Sequence, residues 1–285
     1  MINMLKADLY RLIRSKGFYI AMLILLLTIG ISIYFVSPGY FGINDSAGTM
    51  DDNVAAQMQS VMSQLSKEEQ QSISISKLRE IMLTVEGYEL DRDILSVNMN
   101  LYYIFIFMAA IILTVDFSGG SVKNTLSSAI SRNKYYLSKL CLITLCCTAI
   151  LFLNTYIVYF ANILFNGKSL ASSLGTVTKI TLLQLPPTLA LASILTDIGF
   201  MTKKTSLFNT ITIPLIMVSQ IVLRVVALIF EIKEEFMYYE FQQMLRKLAN
   251  NPTDTYILNS FLVCAVVIVV FNLLGYLSFR KAEIK

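Results

Sequence analysis

Histidine and tryptophan are absent from this 285-residue chain, and only 15% of its residues are charged against 55% hydrophobic. Soluble domains average about 25% charged and roughly 45–50% apolar. Without histidine there is no HExxH zinc site, no Ser-His-Asp or Cys-His nucleophile pair and no imidazole proton relay. Cysteine is scarce as well: Cys141, Cys146, Cys147 and Cys264 lie inside apolar runs, with no CxxC spacing. Adjacent Cys146 and Cys147 suit neither a metal site nor an ordinary disulfide, so all four read as small hydrophobes. A net charge of +4 is too small to point to nucleic acid. No metal site and no cofactor are expected on this chain.

What is abundant is Leu, Ile, Val, Phe and Met, and the mean hydropathy is +0.64. Such a chain belongs in a bilayer, where a helical crossing takes about 20 mostly apolar residues. Six runs come near that length: residues 18–36, 99–115, 140–165, 180–200, 207–230 and 256–279. The expected fold is an all-α membrane protein with six transmembrane helices. Basic residues precede the first run, as in a signal peptide. Its apolar core is too long for one, however, and VSPGYFG offers no small-x-small cleavage site. It reads as a retained helix.

Charge sorts by side. Taking residues 1–17, 116–139, 200–206 and 280–285 together, thirteen Lys and Arg fall in 54 residues. The alternate segments, 37–98, 166–178 and 231–256, hold eight in 101, together with fifteen of the nineteen carboxylates. The excess of basic residues marks the first set as cytoplasmic. A multi-pass protein of a bacterial plasma membrane with both termini inside, including the tail 280–285, is expected.

The segments between the runs carry their own signals. Residues 1–17 form an amphipathic helix with Leu5, Leu9, Leu12 and Ile13 on one face and Lys6, Asp8, Arg11 and Arg14 mostly elsewhere. It is suited to the inner interface, basic residues toward anionic headgroups. Residues 37–98 are too long for an idle loop. Val54, Met58, Val61 and Leu65 recur at helical spacing, and Ser66-Lys67-Glu68-Glu69 is a capping box. A helical extracytoplasmic insertion is expected there, and an amphipathic outer helix at 231–255 bearing Phe241, Met244, Leu245 and Leu248.

In the segment 116–139, Gly119-Gly120 breaks the second run, and Ser121 can cap a short helix containing Val122, Leu126 and Ile130. A short capped helix below the membrane suits docking to a cytosolic protein; an ordinary basic loop is the plainer alternative.

This stretch, DFSGGSVKNTLSSAISRNKYYLSKL, together with the N-terminal MLKADLYRLIRSKGFYI and the six-run layout, resembles the permease subunit of a type-2 ABC exporter. In that family the N-terminal element resembles an elbow helix, here with Leu5, Leu9, Arg11, Leu12 and Arg14. The segment after the second span resembles the coupling helix seated on the ATPase, with an acidic-x-x-x-Gly-Thr-hydrophobic-Lys pattern. Asp116, Gly120, Ser121, Val122 and Lys123 occupy those positions, with Ser for the usual Thr. Asn124, Thr125 and Leu126 continue the element, and Arg132, Tyr136 and Lys139 match the stretch that follows. The long 37–98 segment is similar to permeases of peptide, bacteriocin or lantibiotic export and immunity systems. The resemblance implies a second permease chain, two copies of an ABC ATPase subunit, and ATP with Mg on that partner.

Motif chemistry agrees that ATP hydrolysis lies elsewhere. A phosphate-binding loop needs GxxxxGK[ST], and position 162 before Gly167-Lys168-Ser169 is Asn. Ionisable and polar residues within the runs are path-lining candidates: Arg224 with Gln220 one turn below it, and Asn154 and Gln184. Asn154, Gln184 and Asn272 also suit hydrogen bonds between helices, and Arg224 can snorkel outward. Asp197 is expected to pair with Lys203 or Lys204, and Pro186-Pro187 to kink the fourth run. An intramembrane enzyme would need a nucleophile–base pair or paired aspartates, and none is present. The remaining alternative is a non-transporting membrane anchor or sensor using the outer segment as receptor.

Overall fold

Long apolar runs fold as helices in a bilayer because each backbone N–H and C=O must find its partner inside its own segment. Helices are accordingly the regular elements among the described residues. A computed structural model describes residues 2–36, 90–97, 101–118, 122, 130–230, 234–250 and 252–281. The helices expected around Val54 and Ser66 lie outside the described residues, as do Gly120, Ser121, Lys123, Asn124, Thr125 and Leu126.

In chain order the helices are α1 (Ile2–Arg14), α2 (Lys16–Val36), α3 (Leu90–Val97) and α4 (Leu101–Ala109). A π-helical turn, Ala110–Thr114, leads into α5 (Val115–Ser118). Then follow α6 (Arg132–Asn166), α7 (Leu174–Leu183), α8 (Leu185–Thr202), α9 (Thr205–Ile229), α10 (Phe241–Ala249) and α11 (Asp254–Lys281).

Four helices among the described residues are long and apolar enough to cross a membrane: Lys16–Tyr34, Arg132–Asn166, Leu174–Thr202 and Asp254–Lys281. α9 makes a fifth if its two parts, bent by 49° around residue 220, count as one. The count of six differs at the second run, where the apolar helix is only Leu101–Thr114. At 1.5 Å per residue it reaches about 21 Å, short of a hydrocarbon core of about 30 Å.

Two further interruptions of the helices follow local signals. Pro186 and Pro187 sit in the first turn of α8, where a missing N–H leaves no helical bond unmade. The irregularity is confined to Gln184, whose N–H still reaches the Ile180 carbonyl at 3.0 Å. The break at Gln184 separates α7 from α8, which together are long and apolar enough for one crossing. At Gly167-Lys168-Ser169, Gly167 has φ +88° and ends α6, and Lys168–Leu170 is a single 3-10 turn. This is helix punctuation favouring glycine.

α8 and α11 make the most extensive helix pair. Gly275 permits it: a Cβ there would lie 3.1 Å from Asp197 Cα and 3.0 Å from its Oδ1. Asp197 accordingly faces across this interface, with Gly275 and the Tyr136 hydroxyl as neighbours. That explains why the carboxylate forms no ion pair with Lys203 or Lys204 among the described residues. Gly199 plays the same part against the π turn, its absent Cβ making room for Leu113. Fully buried Phe105, Ile143, Cys147 and Phe200 fill the space among α4, α6 and α8.

Candidate functional site

α1 is amphipathic as expected, but its apolar face lies on the bundle. Leu12 is 3% exposed, Leu9 and Met4 pack on the same core, and Leu5 is half-buried. Ile13 and Tyr10 face outward, and Arg14 donates to the Tyr10 hydroxyl at 2.7 Å. Docking by this face carries Asp8 and Arg11 to the start of α6 and to α5.

There they enter a four-charge knot. Asp116 stands just after the π turn, the extra residue of which sets the angle of α5. Arg11 Nη2 lies 3.0 Å from Asp8 Oδ1 and 2.5 Å from Asp116 Oδ1. Lys139 Nζ lies 2.8 Å from Asp8 Oδ2 and also contacts Asp116 Oδ2. The Lys139 contacts are ionic ones without aligned hydrogen-bond geometry. The Tyr135 hydroxyl donates to Asp116 Oδ2 at 3.1 Å, and Lys139 lies over the Tyr135 ring at 5.6 Å. Side-chain exposure is 1% for Lys139 and 4% for Asp116, rising to 47% for Arg11. Two cations and two carboxylates cancel, which is what makes such burial tolerable. Burial opposes ionisation of Asp116. The Lys139 ammonium and Arg11 guanidinium, with the Tyr135 hydroxyl, outweigh it and hold the carboxyl below the usual carboxylate range.

Beside the knot lies a box of aromatic rings from four helices. Phe200 and Phe279 have centroids 4.6 Å apart, Tyr136 and Phe200 4.9 Å, and Tyr135 stacks on Phe279 at 5.7 Å. A ladder of polar contacts then runs along α6 and α11. Arg132 Nη1 donates to the Arg280 carbonyl at 2.6 Å, and the Tyr276 hydroxyl to Asn133 Oδ1 at 2.9 Å. The Tyr136 hydroxyl reaches the Asn272 carbonyl at 3.1 Å, and Asn272 Nδ2 donates to Ser193 Oγ at 3.0 Å. Of the expected docking residues, Val122 is 2% exposed and Arg132 joins α6 to α11. Asp116 and Lys139, which bracket the docking segment, meet.

The path-lining candidates differ in their surroundings. Asn154 and Gln184 are buried, and Gln184 Nε2 donates to the Leu245 carbonyl at 2.9 Å, a role between helices. Arg224 is exposed on the outer surface of α9 among Ile221, Val225 and Leu228. The Gln220 side chain lies outside the described residues.

At the opposite end of the bundle, residues 234–250 form a 3-10 turn (Glu234–Tyr239) and α10. Met244, Leu245 and Leu248 share the buried face, as the spacing predicts. α10 lies wedged between helices: Met244 Sδ accepts from Cys264 Sγ at 3.6 Å, ten residues into α11 and so about 15 Å from its start. Side chains tie it there. Gln184 holds Leu245, the Tyr102 hydroxyl binds the Phe241 carbonyl, and Ser219 Oγ meets Glu240 Oε1 at 3.1 Å. Nearby, buried Asp91 of α3 accepts from Ser172 N and Oγ, both at 2.9 Å. Burial raises the Asp91 carboxyl above its ordinary value, against the lowering effect of these Ser172 bonds.

Among the described residues no group of three or more Cys, Asp or Glu is placed to hold a metal ion. Tyr135 and Asp8 are the members of the knot that sequence reasoning missed. An acid three residues before Arg11, inside a basic flank, was the available signal for Asp8. No curated protein matches the chain. A family pattern described as protein of unknown function, DUF2705, matches residues 81–285, taking in Asp116, Tyr135 and Lys139 but not α1. The chain belongs to the DUF2705 family.

Proposed function

We propose that this chain is the permease subunit of an ATP-driven exporter in a bacterial plasma membrane, with both termini cytoplasmic. Six crossings are assigned, the second being α4 with its π turn, the fifth being bent α9. ATP and Mg are bound by a separate ABC ATPase subunit, present in two copies, and a second permease chain completes the path. The cargo is amphipathic or hydrophobic, a peptide being the first choice, because the bundle offers mainly Ile, Leu, Phe and Tyr.

One observation carries this reading: the two residues that bracket the docking segment, Asp116 and Lys139, meet in a buried knot that also holds α1. Movement of the segment between them is thereby passed to α1, α5 and α6 together, because separating any one element exposes an unpaired charge. The wedge of α10 at the other end supports an outward-closed state.

The test is whether a separately encoded ATPase co-purifies with the chain and hydrolyses ATP. Lys123→Glu and Thr125→Pro are expected to release it while the chain stays folded. If neither native nor cross-linked chain retains an ATPase, the exporter reading fails.

A further inference from the structure

The stripe of α6 that includes Thr144 and Thr148 is covered in one half of the helix and bare in the other. Toward the α10 end, Thr155, Tyr159 and Asn162 are buried, with Asn162 Nδ2 donating to the Leu170 carbonyl at 3.2 Å. Where that cover ends, a shallow, open groove of about 660 Å³ lies along the surface of α6 alone, lined by Leu137, Leu140, Cys141, Thr144, Leu145 and Thr148. The short side chains of Cys141, Thr144 and Thr148 set its floor between projecting leucines. Leu137 and Leu145 are each about half exposed.

Lys134 stands three residues before Leu137 and seven before Cys141, so helical spacing puts it on the same stripe at the groove's basic end. It is exposed and makes no ion pair among the described residues. Among the described residues, a second copy of this chain brings no free carboxylate to this level. Asp8 and Asp116 are engaged by Arg11 and Lys139, and Asp197 is buried against Gly275. An anionic lipid supplies both an apolar tail for the leucines and an anion for Lys134.

We infer that this groove holds an acyl chain of an anionic phospholipid whose headgroup is met by Lys134. The inference rests on the membrane-crossing reading of α6 and is independent of ATPase coupling. It specifies a lipid site that packs against the same helix whose first turns enter the knot.

The cysteines supply the probe. Cys141 is exposed, whereas Cys146, Cys147 and Cys264 are buried, so bimane maleimide on the full-length chain reports the groove, with Cys141→Ser as the labelling control. The labelled protein is placed in vesicles carrying brominated phosphatidylglycerol or brominated phosphatidylcholine in both leaflets, so orientation does not affect the readout. Half-quenching is expected at about fivefold less brominated phosphatidylglycerol than phosphatidylcholine, the contribution of one Lys near an anionic surface. Lys134→Gln should bring the two lipids level. Because bimane takes up part of the groove, native mass spectrometry of the unlabelled chain forms a second arm. Retained phosphatidylglycerol, lost in Lys134→Gln, supports the site. Equal quenching by both lipids in the native chain overturns it, and so does quenching by neither, which would mean that protein covers the groove. An ATPase that fails to co-purify would leave both arms intact.

Discussion

The two ends of this bundle are fastened by different chemistry. At the basic end, Asp8, Arg11, Asp116 and Lys139 form a closed set of charges drawn from three elements far apart in sequence. At the other end, hydroxyl and amide side chains hold α10 mainly through backbone carbonyls, and the Asp91 carboxylate accepts from the Ser172 turn. A hydrogen bond to a carbonyl is worth about 0.5–1.5 kcal/mol and can be lost singly. In a buried ion set, deleting a fully buried member strands the others. The basic end therefore fails together at its buried members Lys139 and Asp116, though not at half-exposed Arg11, and the opposite end is divisible. That suits the proposed exporter, in which one end would meet a motor and the other would open.

The most severe way to break this contrast is Lys139→Met. It leaves Asp8 and Asp116 with only Arg11, itself half exposed, and stranding a buried charge costs about 3–5 kcal/mol. The expected outcome is a large fall in the thermal midpoint of the detergent-solubilised chain. Adding Asp116→Asn to it should recover part of the loss, because Asp8 and Arg11 remain as a balanced pair. An unaltered midpoint in Lys139→Met would show that the knot has no structural weight.

Asp91→Ala is next. It leaves the Ser172 N–H and hydroxyl without their acceptor, a loss of about 1–3 kcal/mol. If it destabilises more than Lys139→Met does, the two ends have been ranked the wrong way round.

The helices were legible because apolar periodicity and caps are local. Gly167 ending α6, Thr253 capping α11 by accepting from the Tyr256 N–H at 3.3 Å, and the buried face of α10 all follow from neighbouring residues. The expectations that changed depended on what a residue meets across the bundle. Asp197 was assigned to the nearest lysines in sequence, yet Gly275 on a helix some eighty residues away decides where it points. The elbow helix was read as lying on lipid because an amphipathic stripe does not say whether protein or membrane covers it. Gln184, by contrast, takes the role between helices that was expected of it beside path lining, while Arg224 is an exposed cation.

Acid offers a finer test, because the two buried carboxyls are shifted in opposite directions. Asp116 is lowered, so its stabilising contribution is full above its unfolded value near 3.9 and fades only as pH falls through a still lower value. Asp91 is raised, so its burial cost is present at neutral pH and is relieved as pH falls through its folded value. Asp91→Asn keeps an oxygen acceptor for Ser172 and should gain stability over the native chain at pH 7, with the gain shrinking toward pH 4. Asp116→Asn should remain destabilised across that whole window. Thermal midpoints measured at matched pH decide it, and parallel curves for the two variants would remove the electrostatic half of the comparison.

The smallest stability effect is expected at Arg11→Gln, and it separates strength from signal. Arg11 is 47% exposed, so solvent screens much of its attraction to Asp8 and Asp116, and its loss should cost no more than about 1 kcal/mol. Arg11 is nevertheless the one cation that α1 contributes to the knot, and without it α1 is held there through Asp8 and Lys139 alone. If the knot transmits motion, Arg11→Gln should leave ATPase binding and the thermal midpoint close to native while reducing the stimulation of ATP hydrolysis by cargo. Arg11→Lys, which keeps the charge, should restore part of that stimulation, as a merely structural role would not require. Full cargo stimulation in Arg11→Gln would leave the knot as a fastening and remove it as a path of coupling.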